Sequence, residues 1–450
     1  MASLKRIGGL LWVLSLSIGL VRCQEANDDN NTSDEEVTVL TGTRSNAPKS
    51  SGPPEGAYQT VSSRITIATT TLPTDLGPLT ANATDGDIAS AVNTVTYITG
   101  SATSSITGTS NVTASTSTSV APRPTNTRPC NNYPELCARK YSNITQVGCH
   151  NSPFVRQGSA AANQEFSVVS QLDDGVRFLQ GQIQFPVNAT QPHFCHTSCD
   201  LLDAGPITDW LRTVRDWVAA HPYDVVTILL GNGNYSTPDL YVPHIERSGI
   251  LQYVYTPSVI PMQVEDWPTL GQMILSGQRV VMFLDYMANQ TAYPWFMDQF
   301  SQMWETPFDP VDQTFPCTVQ RPPGLSPEDA KKRLYLMNHN LNVEVSLLGQ
   351  AILVPAVSQL NVTNAADGFG SLGMAANNCR SDWERAPNIL NVDYYNYGNY
   401  PGSVFEVAAR MNNVTYNRQC CGPASAAGRV EVVRTFVWMG LAWVMLWMLA

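Results

Sequence analysis

Two histidines are the residues of this sequence best suited to acid–base chemistry. His150 is followed by Asn151, and His196 lies in a short segment between Cys195 and Cys199. Imidazole titrates near neutral pH, so two histidines that face one cavity can take a proton from a substrate and give one back. The pair makes proton transfer on a single substrate a candidate activity.

Two less specific interpretations stay open. Histidine is often a buried, hydrogen-bonded side chain without a catalytic role, and His150 and His196 can each be of that kind. Four neighbouring residues also have the types of a zinc site: His193, Cys195, His196 and Cys199. In a secreted chain, a disulfide between Cys195 and Cys199 that holds His196 in place is the favoured interpretation.

The elements that would position these residues alternate between helix and strand. Apolar residues recur at three- and four-residue spacing from Ile207 to Val218, which predicts an amphipathic helix. The continuous apolar run at 224–230 predicts a strand buried on both faces, and the alternation continues downstream, which predicts parallel pairing. Further strands are predicted at 144–147, 176–185, 279–285, 334–338 and 389–394, and further helices at 269–274 and 327–332.

The region 130–421 suits one α/β domain built as a (βα)8 TIM-type barrel, for which about 250 residues are typical. We expect a barrel that need not be regular or complete. Such barrels carry their functional side chains at the C-terminal ends of the strands. Gln180 and Gln182 end the second predicted strand, and His339 follows a later one. Asp393 ends an apolar strand, where a buried carboxylate requires a partner.

Both ends of the chain resemble targeting signals. A basic start and a short apolar run predict a signal peptide over residues 1–23. Residues 422–450 combine small residues, a polar spacer and an uncharged tail shorter than the ~20 residues of a membrane span. We predict a glycolipid (GPI) anchor signal there, or alternatively a short C-terminal transmembrane helix. The expected location is the extracellular face of the plasma membrane or the cell wall.

The segment between these signals and the barrel has a different composition. Residues 24–129 are rich in Ser and Thr and cannot bury enough apolar surface to fold, so they are predicted to form a disordered, O-glycosylated stalk. Residues 64–68 alternate like a strand but are isolated, and no structure is predicted there. Charged residues are only 14% of the chain, and ten Asn-X-Ser/Thr sequons offer N-linked sugars as a source of solubility.

Charge and cysteine content limit the partners and the cellular compartment that we expect. The net charge of −11 leaves no basic excess that could bind phosphate backbones, so we expect no nucleic-acid partner. We also expect the protein to be a monomer. Nine of the ten cysteines lie within 130–421, where an oxidising compartment favours disulfides. Nine is odd, so one thiol is free or one pairing is unusual, and the adjacent Cys420 and Cys421 are the obvious place for such a pairing.

The order of these motifs resembles the catalytic X domain of phosphatidylinositol-specific phospholipase C, and more closely the fungal secreted PLC-like phosphodiesterases. The resemblance covers most of residues 130–421. It rests on short segments in a shared order: 148–152, 175–182, 195–199, 267–270, 338–339 and 392–394.

This resemblance implies roles for particular residues. His150 would be the general base, His196 the acid that protonates the leaving oxygen, and Asp393 the carboxylate that orients a catalytic histidine. Asn151 matches a calcium-binding position of metal-dependent members, so calcium is the cofactor that the family suggests. The expected substrate is a phospholipid or glycolipid head group, and the C-terminal anchor would hold the protein at the membrane.

The chain departs from the family pattern where charge is needed. Gln180 and Gln182 stand where metal-dependent relatives have carboxylates, and Gln182 stands where metal-free relatives have arginine. Calcium prefers oxygen ligands that include carboxylates, so neutral amides bind it poorly. Arg177 and His339 are further candidates for substrate binding. The alternative function is a catalytically silent surface or cell-wall glycoprotein on the same barrel.

Overall fold

The computed structural model describes residues 53–59, 61, 63–67, 129–155, 159–347, 350–399, 402–418 and 420–421. The predicted signal peptide, most of the predicted stalk and the predicted anchor signal lie outside these ranges and stay predictions. Within the described ranges, no helix has both the length and the apolar character needed to cross a bilayer.

Eight parallel strands, named β1 to β8 in chain order, form the main sheet. Neighbours pair in chain order from β1 to β5, and from β6 through β8 back to β1. β5 and β6 are the two edges of this curled sheet, so the predicted (βα)8 TIM-type fold is confirmed with an open seam between them. The strands are β1 Gln146–Cys149, β2 Phe178–Gln184, β3 Val226–Asn232, β4 Val280–Leu284, β5 Phe296–Asp298, β6 Met303–Glu305, β7 Leu334–Asn338 and β8 Ile389–Val392.

Alternating side chains of the strands form two apolar layers. Phe178, Leu229 and Leu336 belong to the layer inside the barrel. Leu179 and Ile228 point the other way and join the layer between the strands and the helices. Toward the C-terminal ends of the strands the inward positions become polar, and this end is called the mouth below.

Helices cover the outer face. The predicted amphipathic helix is confirmed as Ile207–Ala220, which buries Ile207, Leu211, Val214 and Val218. The α-helices of the described residues are α1 Val168–Asp174, α2 Ile207–Ala220, α3 Val242–Ser248, α4 Leu270–Ser276, α5 Gln299–Gln302, α6 Pro327–Lys331, α7 Leu360–Thr363, α8 Leu372–Trp383 and α9 Ser403–Met411. Short 3-10 helices are Pro134–Leu136, Tyr141–Asn143, Pro238–Leu240, Ile250–Tyr253 and Val357–Gln359.

Two hairpins extend from the barrel. Strands His193–His196 and Leu202–Pro206 pair antiparallel, and the first of them also pairs with β2 through Phe194 and Ile183. We call this element the histidine hairpin. The second hairpin follows β7 and pairs Asn342–Leu347 with Gln350–Pro355.

Part of the predicted stalk lies against the barrel. Ala57 is fully buried, and Tyr58 packs its ring on Tyr286 at 5.2 Å and on Phe300 at 4.9 Å between ring centroids. Phe300 belongs to α5, which connects the two edge strands. The described residues of 53–67, called the strap below, therefore contact the barrel beside its open seam.

Backbone pairing holds the other end of the strap. Ile65–Thr66 pairs antiparallel with Val259–Ile260, and Arg64 forms an ion pair with Asp266 at 2.6 Å. The described residues of the strap depart from the predicted disordered stalk, and Ile65 and Thr66 form a strand where no structure is predicted. A Ser/Thr-rich segment needs few apolar residues of its own when an existing domain offers the complementary surface.

Disulfides account for eight cysteines of the described residues. The predicted pair of Cys195 and Cys199 is confirmed, and Cys149 in β1 is buried and free. The remaining pairs are Cys130–Cys137, Cys317–Cys379 and Cys420–Cys421.

Candidate active site

The mouth brings together His150, the predicted base, and Asp393, the predicted orienting carboxylate. His150 follows β1 and Asp393 follows β8, and these two strands are neighbours in the sheet. His150 Nδ1 lies 2.8 Å from Asp393 Oδ1, and both side chains are buried. The amide of Asn163 donates to the same carboxylate oxygen at 3.0 Å. Because Nδ1 donates to the carboxylate, the other ring nitrogen, Nε2, keeps its lone pair and can act as a base.

The second histidine is positioned by the histidine hairpin. The disulfide between Cys195 and Cys199 brackets His196, and the backbone N–H of Thr197 donates to Gln182 Oε1 at 3.2 Å. The ring of Phe154 meets the His196 ring edge to face at 5.2 Å. The Gln182 side chain thus connects β2 to the turn that follows His196.

The surroundings of His196 disfavour its protonated form. Burial lowers the pKa of His196 to about 4, and the proximity of His150 adds to the shift. His196 is therefore neutral at pH 7 in the free protein. A negatively charged group beside it would reverse this shift, because an opposite charge within a few ångströms favours the charged form of imidazole.

A row of inward amides continues from the histidines across the mouth. Asn391 Nδ2 donates to Gln180 Oε1 at 3.0 Å and to Asn338 Oδ1 at 3.2 Å. Asn338 in turn donates to Glu305 Oε2 at 3.2 Å. Glu305 is buried and forms an ion pair with Arg321. A buried charge pair therefore closes the far side of the mouth from His150.

Two further carboxylates lie near this pair. Asp285 follows β4 and accepts the backbone N–H groups of Asn232 and Tyr286, each at 2.7 Å. Burial raises the pKa of Asp285 to about 7. Asp309 lies within electrostatic range of both His150 and Arg321. The mouth thus contains acidic, basic and amide groups around one opening.

Two of the predicted substrate-binding residues lie elsewhere. Arg177 precedes β2 at the opposite end of the barrel, where it pairs with Asp224 at 2.7 Å and stacks on Trp217. His339 is buried outside the mouth, donating from Nε2 to the backbone oxygen of Thr363 at 2.9 Å. Both residues point outward from their strands because they are out of phase with the inward positions, and we do not retain them in the site.

The residues present do not fit a calcium ion. Asn151 is buried, and the amide oxygens of Gln180 and Gln182 at the mouth already accept hydrogen bonds. Asp393 pairs with His150, and Glu305 pairs with Arg321. The described residues contain no group of three His, Cys, Asp or Glu side chains able to hold a metal. We therefore derive no step through calcium.

Several residues of the mouth are not predicted from the sequence. Asn391 was recoverable, because it lies two residues before Asp393 and must share its face of β8. Glu305 and Arg321 were missed because β6 was not predicted. Asn163 lies in an irregular loop and carries no signal that identifies it.

Two solved structures show limited similarity to this chain. The structure aligns with phosphatidylinositol-specific phospholipase C from Staphylococcus aureus (F249X mutant) with a TM-score of 0.43 and 13% identity, covering 62% of this chain and 95% of that one. The enzyme from Listeria monocytogenes aligns with a TM-score of 0.42 and 12% identity, covering 64% and 97%.

Sequence relatives are more similar. An "Uncharacterized secreted protein" of Arthroderma benhamiae is 54% identical over 318 residues, covering 71% of this chain and 72% of the relative. A "PI-PLC X domain-containing protein 1" of the same organism is 39% identical over 287 residues, covering 63% and 90%. The family model described as PI-PLC X 1 matches residues 136–412. This chain belongs to the PI-PLC X domain family.

Proposed function

We propose that this protein is a phosphodiesterase that cleaves the head group of a phospholipid or glycolipid. His150 acts as the base, Asp393 orients it, and His196 acts as the acid. The observation that carries the proposal is the His150–Asp393 pair at 2.8 Å, with His196 near enough for His150 to influence its pKa. Membership of the PI-PLC X domain family supports a phosphodiester as the bond that is cleaved.

The proposed reaction is a displacement at phosphorus. His150 Nε2 removes the proton of an attacking hydroxyl, of the substrate itself or of water, as a new P–O bond forms. The bond from phosphorus to the leaving oxygen breaks, and His196 donates a proton to that oxygen. Acid–base assistance of this kind contributes about 10²- to 10⁴-fold in rate.

The low pKa of His196 fits this role only in the presence of substrate. A phosphodiester is an anion, and its charge beside the ring favours the imidazolium form. Substrate binding would therefore favour protonation of His196, which can then act as the acid. Titration of His196 by NMR, with and without inorganic phosphate, should show an upward shift of its pKa from about 4.

The test compares matched histidine variants of the full chain. We expect turnover of phosphatidylinositol or a glycosylated derivative by the wild type, and its loss when His150→Ala and His196→Ala are combined. His221→Ala is the control, because His221 lies at the end of α2 and stacks on Trp217. Assays with calcium and with a chelator separate metal-dependent turnover. Absence of turnover, or its survival in the double variant, contradicts the mechanism.

A catalytically silent role is the second candidate. It is favoured by Gln180 and Gln182, which bring no charge to a site where charge builds on phosphate oxygens. In that case the mouth would bind a phosphorylated head group without turning it over. Retained binding of inositol phosphate with no turnover would select this candidate over the enzyme. If Gln180→Glu with Gln182→Glu gives no gain in calcium affinity, the idea of a simply lost metal site is wrong.

We also propose that the protein acts outside the cell. The support is the secreted relative, the predicted signal peptide and three disulfides between sequence-distant or loop cysteines of the barrel. Attachment to the membrane or wall through residues 422–450 is part of this proposal. Release of the protein from intact cells by an added GPI-cleaving phospholipase would support the anchor.

A further inference from the structure

Three of the N-glycosylation sequons lie around the mouth. Asn188 follows β2, Asn234 follows β3 and Asn289 follows β4. These strands are neighbours in the sheet, so their C-terminal ends share one arc of the rim. All three asparagines are exposed. We call this set the sequon arc.

The amide atoms of the sequon arc are arranged for modification. Asn234 Oδ1 accepts the backbone N–H of Phe185 at 2.7 Å, and Asn289 Oδ1 accepts that of Ala292 at 3.1 Å. In both residues the oxygen is held, while the side-chain nitrogen makes no hydrogen bond to the described residues. The nitrogen is the atom to which an N-linked glycan is attached, so a sugar at either site would leave the loop's hydrogen bonds in place.

An exposed apolar side chain accompanies the arc. Val187 is 87% exposed and directly precedes Asn188. A glycan on Asn188 would cover this side chain. Without one, Val187 would be available to enter the interface of a bilayer, which requires apolar groups to reach about 5–10 Å into the head-group region.

We propose that Asn188, Asn234 and Asn289 carry N-linked glycans that fence the β2–β4 side of the mouth and keep it from lying flat on a bilayer. The bulky hydrophilic sugars occupy the face that would otherwise contact lipid. Substrate then enters from the opposite side, and its phosphodiester stands clear of the bilayer plane, as in an extended glycolipid head group. The substrate half of this inference rests on the proposed function.

The modification is tested on the full chain secreted by a fungal host. Glycopeptide mass spectrometry should find sugar on Asn188, Asn234 and Asn289. Three unmodified asparagines would overturn the proposal outright, whatever the protein does to substrates.

The fence is tested by hydrogen exchange of residues 185–190 on vesicles of phosphatidylcholine and phosphatidylinositol. We expect no protection in the native chain. We expect about tenfold slower exchange after enzymatic removal of the glycans, and in the variant Thr190→Ala, Ser236→Ala, Thr291→Ala, which keeps the hydrogen bond from Phe185 to Asn234. Thr415→Ala is the control, because it removes a sequon beside Asn412, whose side chain binds the backbone of Thr145 at the other end of β1. Equal protection in native and deglycosylated chains would refute the fence.

Activity supplies a separate comparison. Deglycosylation should raise cleavage of phosphatidylinositol in vesicles relative to cleavage of soluble glycerophosphoinositol, with Thr415→Ala unchanged. If no form cleaves either substrate, the proposed function fails while the exchange and glycopeptide results still decide the inference. If both rates change equally, the fence does not control access and the substrate half is wrong.

Discussion

Replacing Tyr58 by alanine should release the strap from the barrel while the barrel stays folded. Tyr58 is the residue through which the strap contacts two rings of the barrel, Tyr286 at 5.2 Å and Phe300 at 4.9 Å. Each aromatic pair contributes about 0.5–1.5 kcal/mol beyond the burial of its area. Adding the partial burial of the ring gives a loss of about 2–3 kcal/mol. The half-exposed Arg64–Asp266 pair, by comparison, contributes at most about 1 kcal/mol.

Cleavage by trypsin after Arg64 measures this release. A protease cuts the transiently opened strap, so its rate follows the free energy of opening when opening is fast. A loss of 2–3 kcal/mol predicts about 30- to 150-fold faster cleavage in Tyr58→Ala, because each 1.4 kcal/mol is tenfold. Near-UV circular dichroism should show that the barrel remains packed. Glu55→Ala, an exposed position of the strap, is the control. Equal cleavage rates in the two variants would refute the assigned role of Tyr58.

Three further predictions concern the mouth. Asp393→Asn should lower kcat by about 10²- to 10⁴-fold with little change in melting temperature, because an amide no longer fixes the His150 tautomer; an unchanged rate would contradict the orienting role. Glu305→Gln leaves Arg321 buried without its counter-charge, and urea unfolding should show a loss of about 3–5 kcal/mol, whereas a loss under 1 kcal/mol would mean that the pair is solvated. The pKa of His196 is about 4 in the folded state against 6.5 in the unfolded state, so between these values the unfolded chain binds an extra proton. The free energy of unfolding should therefore fall by up to about 3 kcal/mol as the pH drops from 6.5 to 4. His196→Asn should flatten this part of the plot of unfolding free energy against pH.

Sequence periodicity predicts six of the eight barrel strands. The apolar runs at 279–285 and 334–338 match β4 and β7 closely. β5 and β6 were missed because each has three residues and α5 between them has four, too short for either period to appear. Among the described residues, these two strands are not paired with each other.

The candidate site was predictable where side chains belong to strand ends. His150 and Asp393 meet as two neighbouring parallel strands require. Arg177 was predicted as a substrate-binding residue although it directly precedes β2, out of phase with the inward Phe178, and phase alone could have excluded it. The strap was unpredictable for a different reason, because its order depends on the surface of Tyr286 and Phe300 rather than on its own composition.

The open seam links the strap to the mouth. Arg321 lies over Phe300 and its guanidinium donates to the Tyr286 hydroxyl at 3.0 Å, so the two rings that receive Tyr58 also hold this arginine. Arg321 in turn pairs with Glu305, which accepts a hydrogen bond from Asn338 at one end of the row of inward amides. β5 and β6 cannot fix this wall through backbone pairing, because they do not pair with each other. The side chains around Arg321 must do so, and the strap is packed on the outside of the same cluster. Loss of the strap should therefore alter substrate affinity at the mouth more than the proton transfers at His150, since the latter depend on the opposite, hydrogen-bonded side of the sheet.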